Sequence, residues 1–212
     1  MGLRERKKLA TRTALSWAAI RLIVERGYDG VLVEDIATEA GVSPRTFNNY
    51  FSSKAEAVAS RHLDRCLQVV EALRERPAGE PLWEGINQAV MAQFKQTLEQ
   101  FKQTAEMADR PPRDAEAWAA GLRLMTAVPA IQAETLRASA VAETALAAAV
   151  AARTGTDPEA DLYPKLVAAA VMAVNTVTFK HFVAVGGRLP DMKAMLIGAL
   201  RQLAAGLPEP PR

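Results

Sequence analysis

The sequence predicts an all-α protein made of a small N-terminal helical unit and a larger C-terminal one. Three observations lead there. Apolar residues recur at helical spacing in successive stretches of the 212-residue chain. Strand-like alternation is absent, and Gly and Pro fall between the periodic stretches, where they divide one helix from the next.

The first helix is expected over about residues 4–26, where Leu15, Ala18, Ala19, Leu22 and Ile23 make one apolar face and Gly27 ends it. A second, short helix fits Val33 to Ala40, after which Gly41 can take the left-handed backbone that turns the chain. Ser43 offers an N-cap oxygen and Pro44 suits a first helical position, so a third helix is expected from Pro44 to about Tyr50. Ser53 and Glu56 form a capping-box pattern that opens a fourth helix reaching about Arg76. Pro77, Gly79 and Pro81 interrupt, and a long helix follows from about Leu82 to Met107 before Pro111 and Pro112. Further helices are expected at about 115–127 and 130–153. Asp157 and Pro158 suggest a cap and first turn for a helix over about 159–185, and Gly186, Gly187 and Pro190 separate it from a last helix ending near Gly206. Runs such as Ala145 to Ala152 are strong helix formers.

Composition narrows the class. With 50% hydrophobic and 24% charged residues the chain can bury a sizeable core. No stretch of eighteen apolar residues lacks a charge or a breaker, and the basic start has no secretory apolar segment after it, so neither export nor membrane spanning is indicated. The single cysteine, Cys66, cannot form an internal disulfide. The cytoplasm is the expected compartment. The net charge is only +2, but it is uneven: residues 1–62 hold ten Lys or Arg against seven Asp or Glu, and residues 63–212 hold sixteen against seventeen. The basic excess therefore belongs to the first unit, where Arg4, Arg6, Lys7, Lys8 and Arg12 cluster.

The most informative segment runs from Val33 to Tyr50. Ile36, Ala37 and Ala40 are expected to face inward, with Val42, Phe47 and Phe51 filling the angle between two crossed helices. Arg45, Thr46, Asn48 and Asn49 are left more exposed. A helix of seven residues would be about 10 Å long, short enough to present its start to a major groove.

The pattern Glu25-Arg-Gly-Tyr28, Val33-Glu-Asp-Ile-Ala37, Ala40-Gly-Val-Ser43, Thr46-Phe47, Tyr50-Phe51 and Lys54 resembles the TetR family of bacterial transcription regulators. The resemblance covers roughly residues 10–62. It implies an N-terminal three-helix helix-turn-helix DNA-binding domain over 1–52, a connecting helix over 53–76, and a helical ligand-binding and dimerisation domain over 77–207; the residues after the last helix, 208–212, are expected to be a disordered tail. It further implies Pro44, Arg45 and Asn48 as base contacts on double-stranded operator DNA, and Thr46, Asn49, Tyr50 and Lys54 as phosphate contacts. One departure stands out: the family usually has a Thr N-cap before the second helix, and Leu32 here has no oxygen to offer. Glu34 and Asp35 are placed to compensate through the helix dipole.

A short recognition helix makes few contacts, so a homodimer on a palindrome is expected. The stretch Leu162 to Val185 and the stripe Met192, Met195, Leu196, Ala199, Leu200 and Leu203 could pair with their twofold mates or face the monomer's own core. Trp83, Met91, Phe94, Phe101, Trp118, Met125, Met172 and Phe179 could line a cavity for a small lipophilic effector, although aromatics and Met at helical spacing more often form packed core. Asn175, Thr176 and Thr178 form a polar cluster that needs partners: backbone carbonyls, a dimer mate or a ligand. The expected function is a transcriptional regulator, a repressor released by such an effector. The alternative is a DNA-binding dimer with no effector, controlled by a partner protein or by abundance. No catalytic pattern emerges from two His and one Cys, and His62 with Cys66 supplies too few ligands for a closed zinc site. Neither an enzyme, a metal nor a cofactor is expected.

Overall fold

The computed structural model describes residues 2–107, 123–124, 126–186 and 189–208, and every regular element among them is an α-helix. In chain order these are α1 (Leu3–Arg26), α2 (Val33–Glu39), α3 (Pro44–Asn48), α4 (Lys54–Arg74), α5 (Leu82–Met107), α6 (Pro129–Thr154), α7 (Leu162–Ala184) and α8 (Leu189–Ala204). Most of the helix expected over 115–127, and the end of the expected tail, lie outside the described residues.

Two boundaries differ from expectation for a local reason. The third helix ends at Asn48 rather than Tyr50, because Asn49 N–H also bonds Thr46 O at 3.2 Å and Tyr50 N–H bonds Phe47 O at 2.8 Å, which tightens the last turn. The seventh begins at Leu162 rather than 159. Asp157 Oδ1 accepts the Glu159 and Ala160 amides and so closes a separate turn, after which Asp161, in extended conformation, starts the helix. Those two amides also hold the Asp157 carboxyl below the ordinary carboxylate range.

The chain divides into two compact units, one of residues 1–64 with 116–138 and one of residues 65–115 with 139–212. In the first, Leu15, Ala19 and Ile23 of α1 are buried together with Val31, Ile36, Ala37, Phe47, Phe51 and Val58. The polar exceptions are Ser16 and Ser60, both buried: their Oγ atoms lie 2.7 Å apart, 3.0 Å from Arg12 O and 2.8 Å from Ala57 O respectively, so two hydroxyl protons serve these three contacts.

The second unit has its own core of Val70, Leu73, Ile86, Ala89, Val90, Leu146, Val150, Val167, Ala168, Val171 and Leu200. Arg153 closes one end of it: its guanidinium donates to the carbonyls of Pro77 and Glu80, both at 2.7 Å, and to that of Arg76 at 3.3 Å, and it pairs with the Glu80 carboxylate. Hydrogen bonds from Arg76 hold the Glu80 carboxyl below its ordinary value, against its partial burial. Helices α6 and α7 are long and apolar enough, by length and composition alone, to cross a membrane. Each nonetheless contributes one face to this core, through Leu146, Ala147 and Val150 and through Val167, Ala168 and Val171.

Candidate nucleic-acid interface

The turn between α2 and α3 forms because Gly41 takes φ +68°, a backbone that L side chains rarely adopt, and its N–H bonds Thr38 O at 3.0 Å. Val42 N–H then bonds Ala37 O at 2.9 Å, closing the α2 C-terminus. Ser43 Oγ accepts the Thr46 amide at 3.1 Å and lies 2.9 Å from the Thr46 hydroxyl, so α3 starts with a capped first turn and Pro44 just inside it. Phe47 is fully buried and its ring lies 5.7 Å from that of Phe51. These anchors fix the direction of the opposite face, where Pro44, Arg45, Asn48 and Asn49 are exposed and Thr46 and Tyr50 are half-buried. Among the described residues nothing pairs with the Arg45 guanidinium.

The start of α2 makes good only part of what Leu32 lacks. The Asp35 carboxylate accepts the Leu32 N–H at 2.9 Å, half of a capping box, while Leu32 supplies no acceptor in return. At the start of α4, Ser53 Oγ accepts the Glu56 amide at 3.0 Å as expected, and the Glu56 carboxylate reaches one residue further back, to the amide and hydroxyl of Ser52 at 2.6 and 2.7 Å.

Lys54 is half-buried, and its Nζ donates to Tyr28 O at 2.5 Å and Val31 O at 2.8 Å and sits 4.2 Å from the Tyr28 ring centroid. An ammonium has three donors, so one remains after it has tied down the loop between α1 and α2. Burial, with help from Asp29 and Glu134, pushes the Tyr28 phenol up from its usual pKa. Arg12, one of the clustered cations, is drawn out of the free basic set: it pairs with Asp64 at 2.5 Å and lies 5.5 Å from the Phe51 ring centroid. Arg61 stands 5.0 Å from the Trp17 ring centroid, and burial lowers its pKa while Asp64 opposes that shift. Composition could not reveal these ties, since Arg12 and Asp64 are 52 residues apart.

The expected effector residues spread over the second unit. Phe94 and Met172 are buried, Trp83 packs half-buried against the core, and Asn175 and Phe179 are half-buried. The side chain of Phe101, and Trp118 and Met125 altogether, lie outside the described residues. An open hollow of about 360 Å³ is lined by Arg76, Gln88, Met91, Ala92, Phe94, Lys95, Glu99 and Lys193. Of the residues expected to line a cavity, Met91 and Phe94 are in it. Its polar rim was not foreseen, because Lys193 joins it from a helix almost a hundred residues from Lys95.

Two members of the polar cluster on α7 have partners, one local and one distant: Thr176 Oγ donates to Met172 O of its own helix at 3.0 Å, and Asn175 Nδ2 lies 3.9 Å from Cys66 Sγ on α4. Thr178 is buried. Burial pushes the Cys66 thiol up to about 11. Among the described residues no three His, Cys, Asp or Glu side chains are grouped to hold a metal ion.

Comparison with known proteins adds three findings. A domain model described as bacterial regulatory proteins, tetR family, matches residues 17–59, and the MftR C-terminal domain model matches residues 80–208. The HTH-type transcriptional regulator TcmR of Streptomyces glaucescens is 34% identical over 182 residues, 85% of this chain and 76% of that protein. The fold is shared with crystal structures of TetR-family transcriptional regulators. One from Syntrophomonas wolfei has a TM-score of 0.60 at 17% identity, covering 93% of this chain and 96% of the other. One from a Rhodococcus species has a TM-score of 0.51 at 22% identity, covering 91% and 97%.

Proposed function

The chain belongs to the TetR family of bacterial transcription regulators, and from that premise we propose that it is a cytoplasmic homodimeric repressor that grips a palindromic operator through α3 and is released by a small lipophilic effector. The observation that carries the DNA half of this reading is the exposed, unpaired Arg45 beside exposed Asn48 on a helix held from behind by buried Phe47 and Phe51. An Arg fork suits guanine and an Asn amide suits adenine in the major groove, and Pro44 supplies a close apolar contact beside them. Thr46, Asn49 and Tyr50 flank these groups and serve as phosphate contacts. Lys54 contributes the third N–H of its ammonium and its place at the start of α4.

Two chains per operator follow from the smallness of that surface, and α7 offers the means to pair them: Leu162, Leu166 and Val177 are exposed, apolar and at helical spacing. In this reading α6 and α7 are helices of a regulator's second domain, with no membrane involved. The effector is proposed to be taken up by the second unit, with Trp83, Phe94, Phe101, Trp118, Met125, Met172, Asn175 and Phe179 as contacts. Its binding selects a dimer whose recognition helices no longer match the groove spacing.

The packing of Phe94, Met172 and Trp83 in the second unit favours a second reading, in which the dimer senses no small molecule and answers to a partner protein or to its own abundance.

The test is to select genomic fragments with the purified protein and compare wild type with Arg45→Ala. The variant is expected to lose preference for the selected fragments over random duplex, and an unchanged preference overturns the DNA reading. An effector raises the melting temperature and lowers operator affinity together. If no lipophilic fraction of the host's cytoplasm does both, the second reading replaces the first.

A further inference from the structure

The first two turns of α1 carry an unexplained charge. Gly2 to Ala10 are all exposed, and Arg4, Arg6, Lys7 and Lys8 stand among them with Glu5 as the one acid. Among the described residues none of these four cations has an ion-pair or hydrogen-bond partner on its side chain. They also oppose the helix: an α-helix N-terminus bears partial positive charge and favours acidic neighbours, so four cations there cost helix stability unless an anion meets them from outside.

Their direction is set by the same helix that builds the core. Positions 4, 8, 11, 15, 18 and 22 follow one another by fours and threes and so share a face. From Leu15 onward that face is buried, with Leu15, Ala18 and Leu22 in the core; Thr11 is half-buried at its edge, and Lys8 and Arg4 beyond it are exposed. The overhang is close to the proposed DNA-reading end of its unit. Arg12, one turn after Lys8, lies over the Phe51 ring, and that ring packs against Phe47 of α3. Lys8 is therefore about 6 Å along the helix from a residue touching that anchor, and Arg4 about 12 Å, at 1.5 Å per residue.

We propose that the start of α1 is a second DNA contact, an arm that lays Arg4, Arg6, Lys7 and Lys8 along the phosphate backbone beside the half-site read by α3. The inference rests on the DNA reading of α3. The arm binds without regard to sequence, because flexible ammonium and guanidinium groups on phosphates carry no base information. It supplies non-specific affinity and a steeper salt dependence, since each neutralised phosphate releases counterions.

The experiment substitutes Arg4→Gln, Arg6→Gln, Lys7→Gln and Lys8→Gln together in the full chain, which keeps helix propensity near that of the original residues. Fluorescence anisotropy then follows binding to a random-sequence duplex of about 30 base pairs, and to fragments selected by the wild type, across a salt series. The quadruple variant is expected to show a slope of log K against log [salt] shallower by about 2 to 4 for each bound protomer, at about 0.9 per lost phosphate contact. Its preference for selected over random DNA should stay within about twofold of wild type. A slope unchanged from wild type overturns the arm, as does a lost preference at constant slope. Arg45→Ala run in parallel keeps the two ideas apart: it should lose preference at nearly constant slope. If it loses neither, the reading of α3 fails while the arm is still judged by its own slope. Melting curves check folding: residues 2–10 bury nothing, so the variant should melt no lower than wild type, and relief of the cations' repulsion from the helix N-terminus should raise its midpoint slightly.

Discussion

At the residue scale the side chains sort by whether their polar groups are already spent inside the protein. Arg45 is exposed and unpaired, so its donors are free for a base edge. Arg45→Ala is expected to cost about 1 to 3 kcal/mol at one base pair of the operator, roughly five- to 150-fold, with little change at other positions. Competition binding with operators altered one base pair at a time measures this, and a uniform loss across positions would reassign Arg45 to the backbone. Cys66 is the opposite case. Its thiol is buried and pushed up to about 11, so near neutral pH almost none is thiolate, and maleimide labelling of the native protein should be limited by unfolding. The linkage has a definite sign. Between about pH 9 and 11 the unfolded thiol gives up its proton while the folded one keeps it, so the unfolded state binds fewer protons and stability falls as pH rises. Two pKa units correspond to about 2 to 3 kcal/mol lost by pH 11. Urea melts of wild type and Cys66→Ala across that range should converge as the wild type loses this term, and parallel curves would clear the thiol of responsibility.

At the scale of elements, what sequence could and could not foretell follows from the range of the interactions. The bend at Gly41, the Ser43 cap and the Ser53 cap are settled within three or four residues, and all three stand where the chain's local chemistry predicts them. The start of α7 was missed although it is local, because Asp157 has the chemistry of an N-cap and spends it on a lone turn. The ties of Arg12 to Asp64 and of Arg153 to Glu80 join residues 52 and 73 positions apart, and no periodicity encodes such pairs. The same holds for the hollow rimmed by Lys95 and Lys193, where periodicity placed apolar faces correctly but could not say which of them meet. The cap of α2 yields a prediction. Leu32 is 62% exposed and packs little, while Asp35 holds its amide without a reciprocal bond. Leu32→Ser restores that bond and should stabilise the protein by about 0.5 to 1 kcal/mol, whereas Asp35→Ala should cost about 1 kcal/mol. Denaturant titration decides, and a destabilised Leu32→Ser would mean that the leucine packs against a second copy of the chain.

At the scale of the whole molecule, the question is what covers α7. An apolar stripe on a helix is stable in water only if something covers it. One face of α7 is in the core through Val167, Ala168 and Val171, while Leu162, Leu166 and Val177 are 66%, 56% and 66% exposed, with Ala173 exposed between them. A second copy of the same helix about a twofold axis covers such a stripe with itself, which is the self-complementarity a symmetric dimer requires. Leu166→Glu with Val177→Glu should therefore give a folded monomer. Neither side chain fills the core, so no cavity forms and thermal unfolding of the second unit should persist, while four like charges would meet across the axis. Sedimentation at micromolar concentration should report half the wild-type mass. Operator affinity should fall by about 100-fold or more, because two half-sites are then occupied independently instead of through one linked pair of recognition helices. A double variant that remains dimeric would remove α7 from the interface. One that becomes monomeric yet keeps wild-type affinity would show that a single chain suffices on DNA.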